Sequence, residues 1–236
     1  SKEEALSKTL EILNIYVDFV ENILAIPVIK GEKTPIERFP GAEKTYTFEA
    51  MMQDGKALQA GTSHFLGQNF AKAQDISYQD QRGDKVYAWT TSWGVTTRLI
   101  GGMIMVHGDD DGLILPPKIA PIHIVIIPII HSDQDSEDIN KYCDELAQAL
   151  REVNYHSTPI SVEIDTRDLR NGEKVWSWIK KGVPIRVEIG KREILENVIS
   201  FTRRIDSHKD RKKISTKQFV SCAPSTLDKI QEAILK

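Results

Sequence analysis

Residues 91–101 read TSWGVTTRLIG and predict the end of a β-strand followed directly by the start of a helix. Arg98 falls in the first turn of that helix. The first backbone N–H groups of a helix lack partners within the helix and carry partial positive charge, so a guanidinium beside them strengthens the field that an anion meets. The segment is therefore a candidate phosphate site. Arg98 could instead be an ion-pair partner of the acidic turn at residues 109–111.

The sequence before this segment predicts an antiparallel sheet with flanking helices. Apolar residues at helical spacing predict an amphipathic helix, and Asp-Gly and Gly-Asp pairs between alternating segments are typical of hairpins. The predicted elements are a helix over 4–24, a loop over 30–44, a hairpin of strands 46–50 and 57–61, a short helical stretch through Phe65 and Phe70, a hairpin of strands 76–78 and 86–93, a helix after Trp93 that ends near Gly108, and a strand at 112–115.

The pattern changes after Pro116-Pro117, because tandem prolines neither continue a helix nor join a sheet. A continuous apolar run, a helical stripe and a further strand then predict a β-α-β unit. The predicted elements are strands 122–130, 161–165, 185–189 and 197–204, and helices 139–153, 172–181 and from Pro224 onward. The sequence therefore predicts an α/β protein: an α+β portion with an antiparallel sheet, then an α/β domain with a mixed, mostly parallel sheet.

Composition narrows the class of protein. The 236 residues suffice for two domains, and 40% hydrophobic with 28% charged residues is typical of a globular protein. A net charge of −3 gives no global basic field, so a nucleic-acid site has to be a local patch. Cys143 and Cys222 show no disulfide or zinc spacing. The apolar run 119–130 is shorter than the roughly 20 residues that span a membrane, and no signal-peptide pattern is visible. These features predict a cytoplasmic protein without membrane segments.

Two polar clusters are candidate binding sites: residues 59–64, which read QAGTSH, and residues 91–98. Small residues let a ligand approach the backbone, while amide, hydroxyl and imidazole groups give directional hydrogen bonds. Taken singly, each residue has an ordinary alternative. Gln59 and Thr62 could be ordinary polar residues of a strand. His64 could be a hydrogen-bonded histidine near a helix start, and Trp93 could be a core aromatic.

In this order the segments resemble the class II aminoacyl-tRNA synthetases, most closely the archaeal/eukaryotic-like prolyl-tRNA synthetase family. The resemblance is carried by residues 52–64 (MQDGKALQAGTSH), 66–70 (LGQNF), 91–94 (TSWG), 107–113 (HGDDDGL) and 181–190 (KGVPIRVEIG). It implies that residues 1–117 are the C-terminal portion of a class II catalytic domain and 118–215 an anticodon-binding domain. Residues 216–236 would be a linker or the start of a C-terminal region.

The resemblance also implies an activity and a set of site residues. The family uses ATP to activate L-proline as prolyl-adenylate and transfers it to tRNA(Pro), as a homodimer and with Mg²⁺. Arg98 would be catalytic and would bind ATP together with Gln59, Thr62 and Thr96. Proline would contact His64, Ser92, Trp93 and Gly94. No metal ligands are identified in this sequence.

For tRNA, the basic stretch 165–192 contains candidates for anticodon contacts, and the resemblance favours Arg167, Arg170 and Lys174 over the alternative of a solvated helical face. Trp176 and Trp178 could stack on bases or pack in the core. A second basic run, 203–213, is interpreted as a surface turn.

The resemblance implies that the family's first two motifs precede Ser1 and that a zinc-binding domain follows Lys236, so this chain alone should be inactive. It leaves no room for a large editing insertion between Pro27 and Trp93. Two alternatives remain: a non-catalytic, tRNA-binding or regulatory paralogue, and a class II enzyme that charges a different amino acid.

Overall fold

The computed structural model describes residues 1–207 and 210–235 of the chain. Backbone contacts divide the chain into two compact units, residues 1–106 and the part from His107 onward. The first is built on an antiparallel sheet and the second on a mixed sheet between helices, so the predicted fold class is confirmed. Within the described ranges, no helix is both long and apolar enough to cross a membrane.

The first unit is a sheet in the order β1-β2-β3-β6, antiparallel throughout, with a separate β4–β5 hairpin. Its elements are α1 (Lys2–Asp18), β1 (Val28–Glu32), β2 (Lys44–Met51), β3 (Ala57–Gly67), α2 (Asn69–Ala73), β4 (Ser77–Gln79), β5 (Lys85–Tyr87), β6 (Thr90–Val95) and α3 (Arg98–His107). A π-helical turn, Phe19–Ile23, extends α1 to the end predicted from the apolar spacing.

Helix α1 packs on one face of this sheet. Ser1 and Glu4 form a capping box that satisfies the first backbone donors of the helix. Leu13 and Val17 are buried, and the Ser63 hydroxyl of β3 donates to the Thr9 carbonyl over 2.7 Å. Because Ser63 is completely buried, this bond marks the face of the sheet that α1 covers.

Several boundaries in the first unit differ from the sequence predictions. The predicted loop at 30–44 begins as strand, because β1 pairs with β2 through Glu32. The helical stretch predicted through Phe65 is wrong, since β3 continues to Gly67 and α2 begins only at Asn69. The predicted strand 86–93 is two strands: β5 closes the local hairpin, and β6 pairs with β3. The hairpin at Asp54-Gly55 and helix α3 are confirmed.

The second unit is a sheet in the order β10-β7-β11-β12-β13. Its elements are β7 (Ile124–Pro128), α4 (Ser136–Arg151), β8 (Asn154–Tyr155), β9 (Thr158–Pro159), β10 (Val162–Ile164), α5 (Asn171–Lys180), β11 (Ile185–Ile189), α6 (Lys191–Glu196), β12 (Val198–Arg203), β13 (Lys212–Ser215) and α7 (Thr216–Ile234). Strand β7 pairs in parallel with β10 and β11, whereas β11–β12 and β12–β13 are antiparallel. The sheet is mixed, as predicted, but not mostly parallel, because the chain returns through a hairpin after β12.

Every residue of β7 is buried, which explains its continuous apolar sequence. Ile124 and Ile126 pack into a core with α4 and α7, while Val125 and Ile127 face Trp178 of α5. Four residues of α7 are fully buried in the first of these cores: Phe219, Ala223, Leu227 and Ile230. The segment from Thr216, predicted as a linker or the start of a C-terminal region, is therefore an integral layer of the second unit.

Residues 107–116 pack within the second unit. The strand predicted at 112–115 is wrong; instead, the Leu113 N–H donates to the Lys180 carbonyl over 3.0 Å. Arg204, buried in this unit, donates to both carboxylate oxygens of Asp109, which lowers the pKa of Asp109. Asp109 therefore has Arg204 as its partner rather than the predicted Arg98. The division between the units falls before the domain boundary predicted at residue 117, and that domain assignment stays a prediction.

Asp165, just after β10, joins α5 to the sheet. Its side chain is fully buried and accepts hydrogen bonds from Trp178 Nε1 at 2.7 Å and from Arg167 Nε at 2.9 Å and Nη2 at 2.6 Å. These bonds favour the ionised carboxylate, and the Arg167 guanidinium in particular lowers the pKa of Asp165 to about 2. The negative charge at Asp165 therefore contributes to the stability of the second unit.

We expect Asp165→Asn to destabilise the chain by about 2 kcal/mol at pH 7, because a depressed carboxyl pKa stabilises the folded state wherever the unfolded carboxyl is ionised. That contribution is complete above the unfolded pKa near ~4 and disappears as the pH falls toward about 2, so the wild-type and variant stabilities should converge over this range. Urea unfolding at several pH values measures the difference. Asp168→Asn, at an exposed position nearby, is the control. A difference that stays constant from pH 7 to pH 2 would contradict the role of the Asp165 charge.

Candidate functional site

The strand register of the first unit places the two predicted polar clusters side by side. Across β2, β3 and β6, one row is formed by Thr45, His64 and Ser92. The next row is formed by Thr47, Thr62 and Gly94. Residues directly opposite each other in an antiparallel sheet point to the same face. These side chains therefore share the face of the sheet that α1 does not cover, which we call the site face.

A β-bulge brings Gln59 onto the site face. The pairing shifts between Phe48, which is opposite Gly61, and Glu49, which is opposite Gln59, so Ala60 is an extra residue in β3. Without this extra residue, strict alternation would place Gln59 on the α1 face. The Thr47 hydroxyl donates to the Gly61 carbonyl at the bulge over 3.1 Å. The bulge therefore aligns Gln59 with Thr62 and His64.

Gly61 is required at the bulge by close packing. A Cβ at this position would lie 2.5 Å from the ring of Phe48, a side chain that is completely buried. A larger residue would therefore displace either the Phe48 ring or the bulged backbone.

Trp93 does not join the other predicted residues on the site face. It lies opposite Ser63, whose side chain contacts α1, so the pleat directs the indole to the α1 face. The ring is also 41% exposed, so the alternative of a core aromatic is wrong as well. Only the backbone of Trp93 lies beside the row that contains Ser92 and His64. The sequence motif brought Trp93 into the predicted proline site, but the alternation of the strand separates its side chain from that site.

Arg98 begins α3, as predicted. Its N–H donates to the Thr96 hydroxyl over 3.2 Å, and the Leu99 N–H donates to the Thr96 carbonyl over 3.1 Å, so Thr96 satisfies donors at the helix start. The Arg98 guanidinium is exposed and donates through Nη1 to the Gln59 carbonyl over 3.2 Å. Arg98 at the start of α3 is therefore adjacent to Gln59, as a nucleotide site requires.

The structure adds two residues that the sequence predictions missed, Lys33 and Phe39. The Lys33 ammonium donates to Gln59 Oε1, and its backbone N–H donates to the Thr45 carbonyl over 2.8 Å. The ring centroid of Phe39 lies 5.0 Å from that of His64. Both residues were assigned to a loop at the sequence level. Lys33 continues the pairing with β2, and the Phe39 N–H donates to the Thr45 hydroxyl of β2 over 3.0 Å. Local sequence does not reveal either contact.

The surroundings of His64 favour its neutral form. Partial burial lowers its pKa, and the positive charge of Lys33 lowers it further. The Nδ1 atom lies 3.0 Å from the Thr45 hydroxyl. A neutral imidazole beside the Phe39 ring offers one donor, one acceptor and an apolar surface. The site face can therefore bind a ligand with a small apolar group at His64 and Phe39 and anionic groups near Arg98.

The second unit has a cleft of about 760 Å³ at the carboxyl ends of β7 and β10. This is the edge of an α/β sheet where ligands commonly bind. The structure brings the three predicted RNA-binding residues, Arg167, Arg170 and Lys174, to this one cleft. Two of them also have structural contacts, because Arg167 pairs with Asp165 and the Lys174 ammonium donates to the Asp165 carbonyl over 3.1 Å.

The other basic and aromatic candidates of this unit differ in burial and in ion pairing. Trp178 is buried, which fits core packing, whereas Trp176 is 42% exposed. The basic run 203–213 forms ion pairs with acidic side chains, and residues 208 and 209 lie outside the described ranges. The pairs are Arg203–Asp206, Lys212–Asp206, Arg211–Glu188 and Lys213–Glu193. Within the described ranges, the named arginines and lysines of this run are therefore paired with carboxylates, unlike Arg170 of the cleft.

Comparison with known proteins gives matches for the whole chain. Residues 123–224 match a family model described as an anticodon binding domain. A proline–tRNA ligase of Protochlamydia amoebophila is 54% identical over 97% of this chain and 45% of its own length. One of Bdellovibrio bacteriovorus is 50% identical over 99% of this chain and 47% of its own length.

A crystal structure of prolyl-tRNA synthetase from Cryptosporidium parvum, complexed with L-proline and AMP, is similar to the whole of this chain. It is 40% identical, superposes with a TM-score of 0.92 and covers 100% of this chain and 49% of its own. With such identity over nearly its full length, the chain belongs to the family of proline–tRNA ligases, the prolyl-tRNA synthetases, and spans about half the length of the relatives it matches.

Proposed function

We propose that the full-length protein activates L-proline with ATP to form prolyl-adenylate and transfers the prolyl group to tRNA(Pro). This chain would supply one wall of the adenylate site and the anticodon-binding unit. One observation carries the proposal: β3 presents Gln59, Thr62 and His64 together on the site face, beside Arg98 at the start of a helix. A relative that was crystallised with L-proline and AMP supports this assignment of ligands.

The nucleotide would lie along Gln59, Thr62 and the start of α3. Arg98 offers a fixed guanidinium for phosphate oxygens, and a planar fork of donors holds such oxygens better than an ammonium does. Thr96 already satisfies donors at the helix start, so we assign it to shaping this end of the site more than to gripping phosphate. The partial positive charge at the start of α3 adds to this field.

The amino acid would lie between His64 and β6. A pyrrolidine ring is small and apolar and fits against the Phe39 and His64 rings, whose centroids are 5.0 Å apart. Ser92 and Gly94 lie opposite His64 and Thr62 and would contact the ligand from the neighbouring strand. Trp93 would contribute only its backbone here.

The chemistry requires charge stabilisation rather than a base. The proline carboxylate is already ionised when it attacks the α-phosphate of ATP, and pyrophosphate leaves. Negative charge develops on the phosphate oxygens, and preorganised cations stabilise it. Arg98 would supply that stabilisation from this chain. The described residues contain no cluster of acidic, histidine or cysteine side chains placed to hold a metal, so no step is assigned to Mg²⁺ here.

The second unit would bind the anticodon of tRNA(Pro) at the 760 Å³ cleft. Exposed anticodon bases offer acceptor edges, and the RNA backbone offers phosphates, to arginine and lysine donors. Arg170 and Lys174 line the cleft, and among the residues that the structure describes neither side chain forms an ion pair with a carboxylate. Arg167 retains an exposed edge although it pairs with Asp165.

We further propose that the protein is a homodimer and that it works in the cytoplasm. Both proposals follow from its family and not from a surface of this chain. The alternative of a non-catalytic tRNA-binding paralogue is disfavoured because Gln59, Thr62, His64 and Arg98 are all present and aligned. An enzyme for a different amino acid is disfavoured by identities of 54% and 50% with proline–tRNA ligases.

We expect Arg98→Ala to reduce proline-dependent exchange of pyrophosphate into ATP by the full-length protein about 100- to 1,000-fold, as removal of one preorganised donor does at other sites of developing charge. The control is Arg82→Ala, because Arg82 is an exposed arginine in the β4–β5 turn of the same unit. Exchange that does not depend on proline, or that Arg98→Ala leaves undiminished, would contradict the proposed activity.

We expect Arg170→Ala to weaken binding of a tRNA(Pro) transcript to the full-length protein about three- to tenfold and to reduce the salt dependence of binding by roughly one phosphate contact. Arg167→Ala is a poorer test, because it also removes the partner of buried Asp165. Arg192→Ala is the matched control, since Arg192 is exposed and pairs with Glu196 outside the cleft. Equal effects of Arg170→Ala and Arg192→Ala would exclude the cleft as the tRNA site.

A further inference from the structure

Lys33 lies on the site face although no sequence motif pointed to it. Strand β1 pairs with β2 up to Glu32, opposite Tyr46, and the backbone bond from Lys33 to the Thr45 carbonyl continues this ladder by one residue. Lys33 therefore begins the row that runs through Thr45 and His64. Its ammonium reaches along the face to Gln59 Oε1.

The only side-chain partner of Lys33 within the described residues is the neutral amide of Gln59. Holding a partly buried ammonium without a carboxylate costs free energy, because the lost hydration is not offset by an opposite charge. Lys44 shows the usual arrangement in the same sheet, where it pairs with Glu32 at 3.2 Å. The contact between Lys33 and Gln59 is therefore poorly explained by stability alone.

The chemistry of the pair fixes how Gln59 faces a ligand. A lysine ammonium only donates hydrogen bonds, so the amide has to turn its oxygen toward Lys33 and its NH₂ group away. That NH₂ group donates to no other group among the described residues. The backbone of Gln59 is held as well, because Arg98 donates to its carbonyl over 3.2 Å. The bulge therefore sets the position of Gln59, and Lys33 sets the orientation of its amide.

We propose that Lys33 is a positioning residue for nucleotide binding: its ammonium holds the Gln59 amide so that the two NH₂ donors point to acceptor atoms of the bound ATP. This inference rests on the proposed function, in which Gln59 contacts the nucleotide. Without Lys33, no recorded contact among the described residues orients the amide, and its oxygen can turn toward the acceptor atoms of ATP.

The test measures pyrophosphate exchange by the full-length protein. We expect Lys33→Met, which keeps the length of the side chain, to raise the KM for ATP about three- to tenfold, roughly the contribution of one hydrogen bond. The KM for proline and kcat should stay within about twofold of wild type, since one bond to the nucleotide is affected. Lys33→Arg should restore most of the ATP affinity, because a guanidinium is also only a donor.

Lys30→Met is the matched control. Lys30 lies on the same strand but opposite Phe48, on the α1 face, and its ammonium donates to Asn14 over 2.7 Å. Its removal should leave both KM values unchanged. A rise in the KM for ATP in Lys30→Met as large as in Lys33→Met would overturn the proposal, because the effect would then come from loss of charge anywhere on β1.

A double-mutant cycle separates positioning from direct contact. If Lys33 acts through Gln59, Lys33→Met should have no further effect on the KM for ATP in the Gln59→Leu background. A full three- to tenfold effect in that background would overturn the proposal, since Lys33 would then act on the nucleotide itself.

Failure of this inference can be told apart from failure of the proposed function. If wild-type exchange depends on proline and Arg98→Ala abolishes it while Lys33→Met behaves like wild type, only the inference about Lys33 fails. If wild-type exchange does not depend on proline, the proposed function fails first.

Discussion

The candidate active site depends on one extra residue in β3. Ala60 interrupts the pairing of β2 with β3, and the resulting bulge turns Gln59 to the face that already carries Thr62 and His64. A β-strand alternates its side chains strictly, so three functional groups at positions 59, 62 and 64 cannot share a face without such an insertion. Gly61 makes the bulge possible, because the Phe48 ring occupies the space of its missing side chain. Position and chemistry of the site therefore follow from a packing constraint on the opposite face.

Local sequence predicted the elements whose signals are local. The hairpin at Asp54-Gly55, the buried strand β7 and helix α5 followed from turn chemistry and apolar periodicity, and the structure confirms them. The bulge at Ala60 and the strand before Lys33 did not follow, because both exist only through pairing with β2. Arg98, Gln59, Thr62 and His64 were found by resemblance to a family, whereas Lys33 lay in a segment read as a loop. The motif that identified Trp93 did not show the face to which its side chain points, because that face depends on strand pairing.

In the second unit, the cleft proposed to bind RNA also contains contacts that stabilise the fold. Asp165 holds Trp178 and Arg167 in place from a fully buried position, so part of the positive charge in the cleft is neutralised by the fold itself. These buried polar groups are tolerated at the end of the sheet because the Asp165 carboxylate accepts a hydrogen bond from each donor around it. Recognition of an anion then relies on the side chains whose charge the fold leaves intact. The cleft and the stability of α5 are therefore coupled, and a substitution at Arg167 affects both.

In both units, the group that accepts a hydrogen bond from a cationic side chain determines how much of its charge remains for a ligand. Lys44 and Arg204 are held by carboxylates, which cancel most of their field. Arg98 is held by the backbone carbonyl of Gln59, and Lys174 by that of Asp165. A neutral acceptor restricts the side chain to one orientation but leaves its net charge available to a ligand. An anionic ligand needs cations that are oriented and uncompensated. Backbone acceptors meet both conditions, and these two contacts occur where we propose that ATP and tRNA bind.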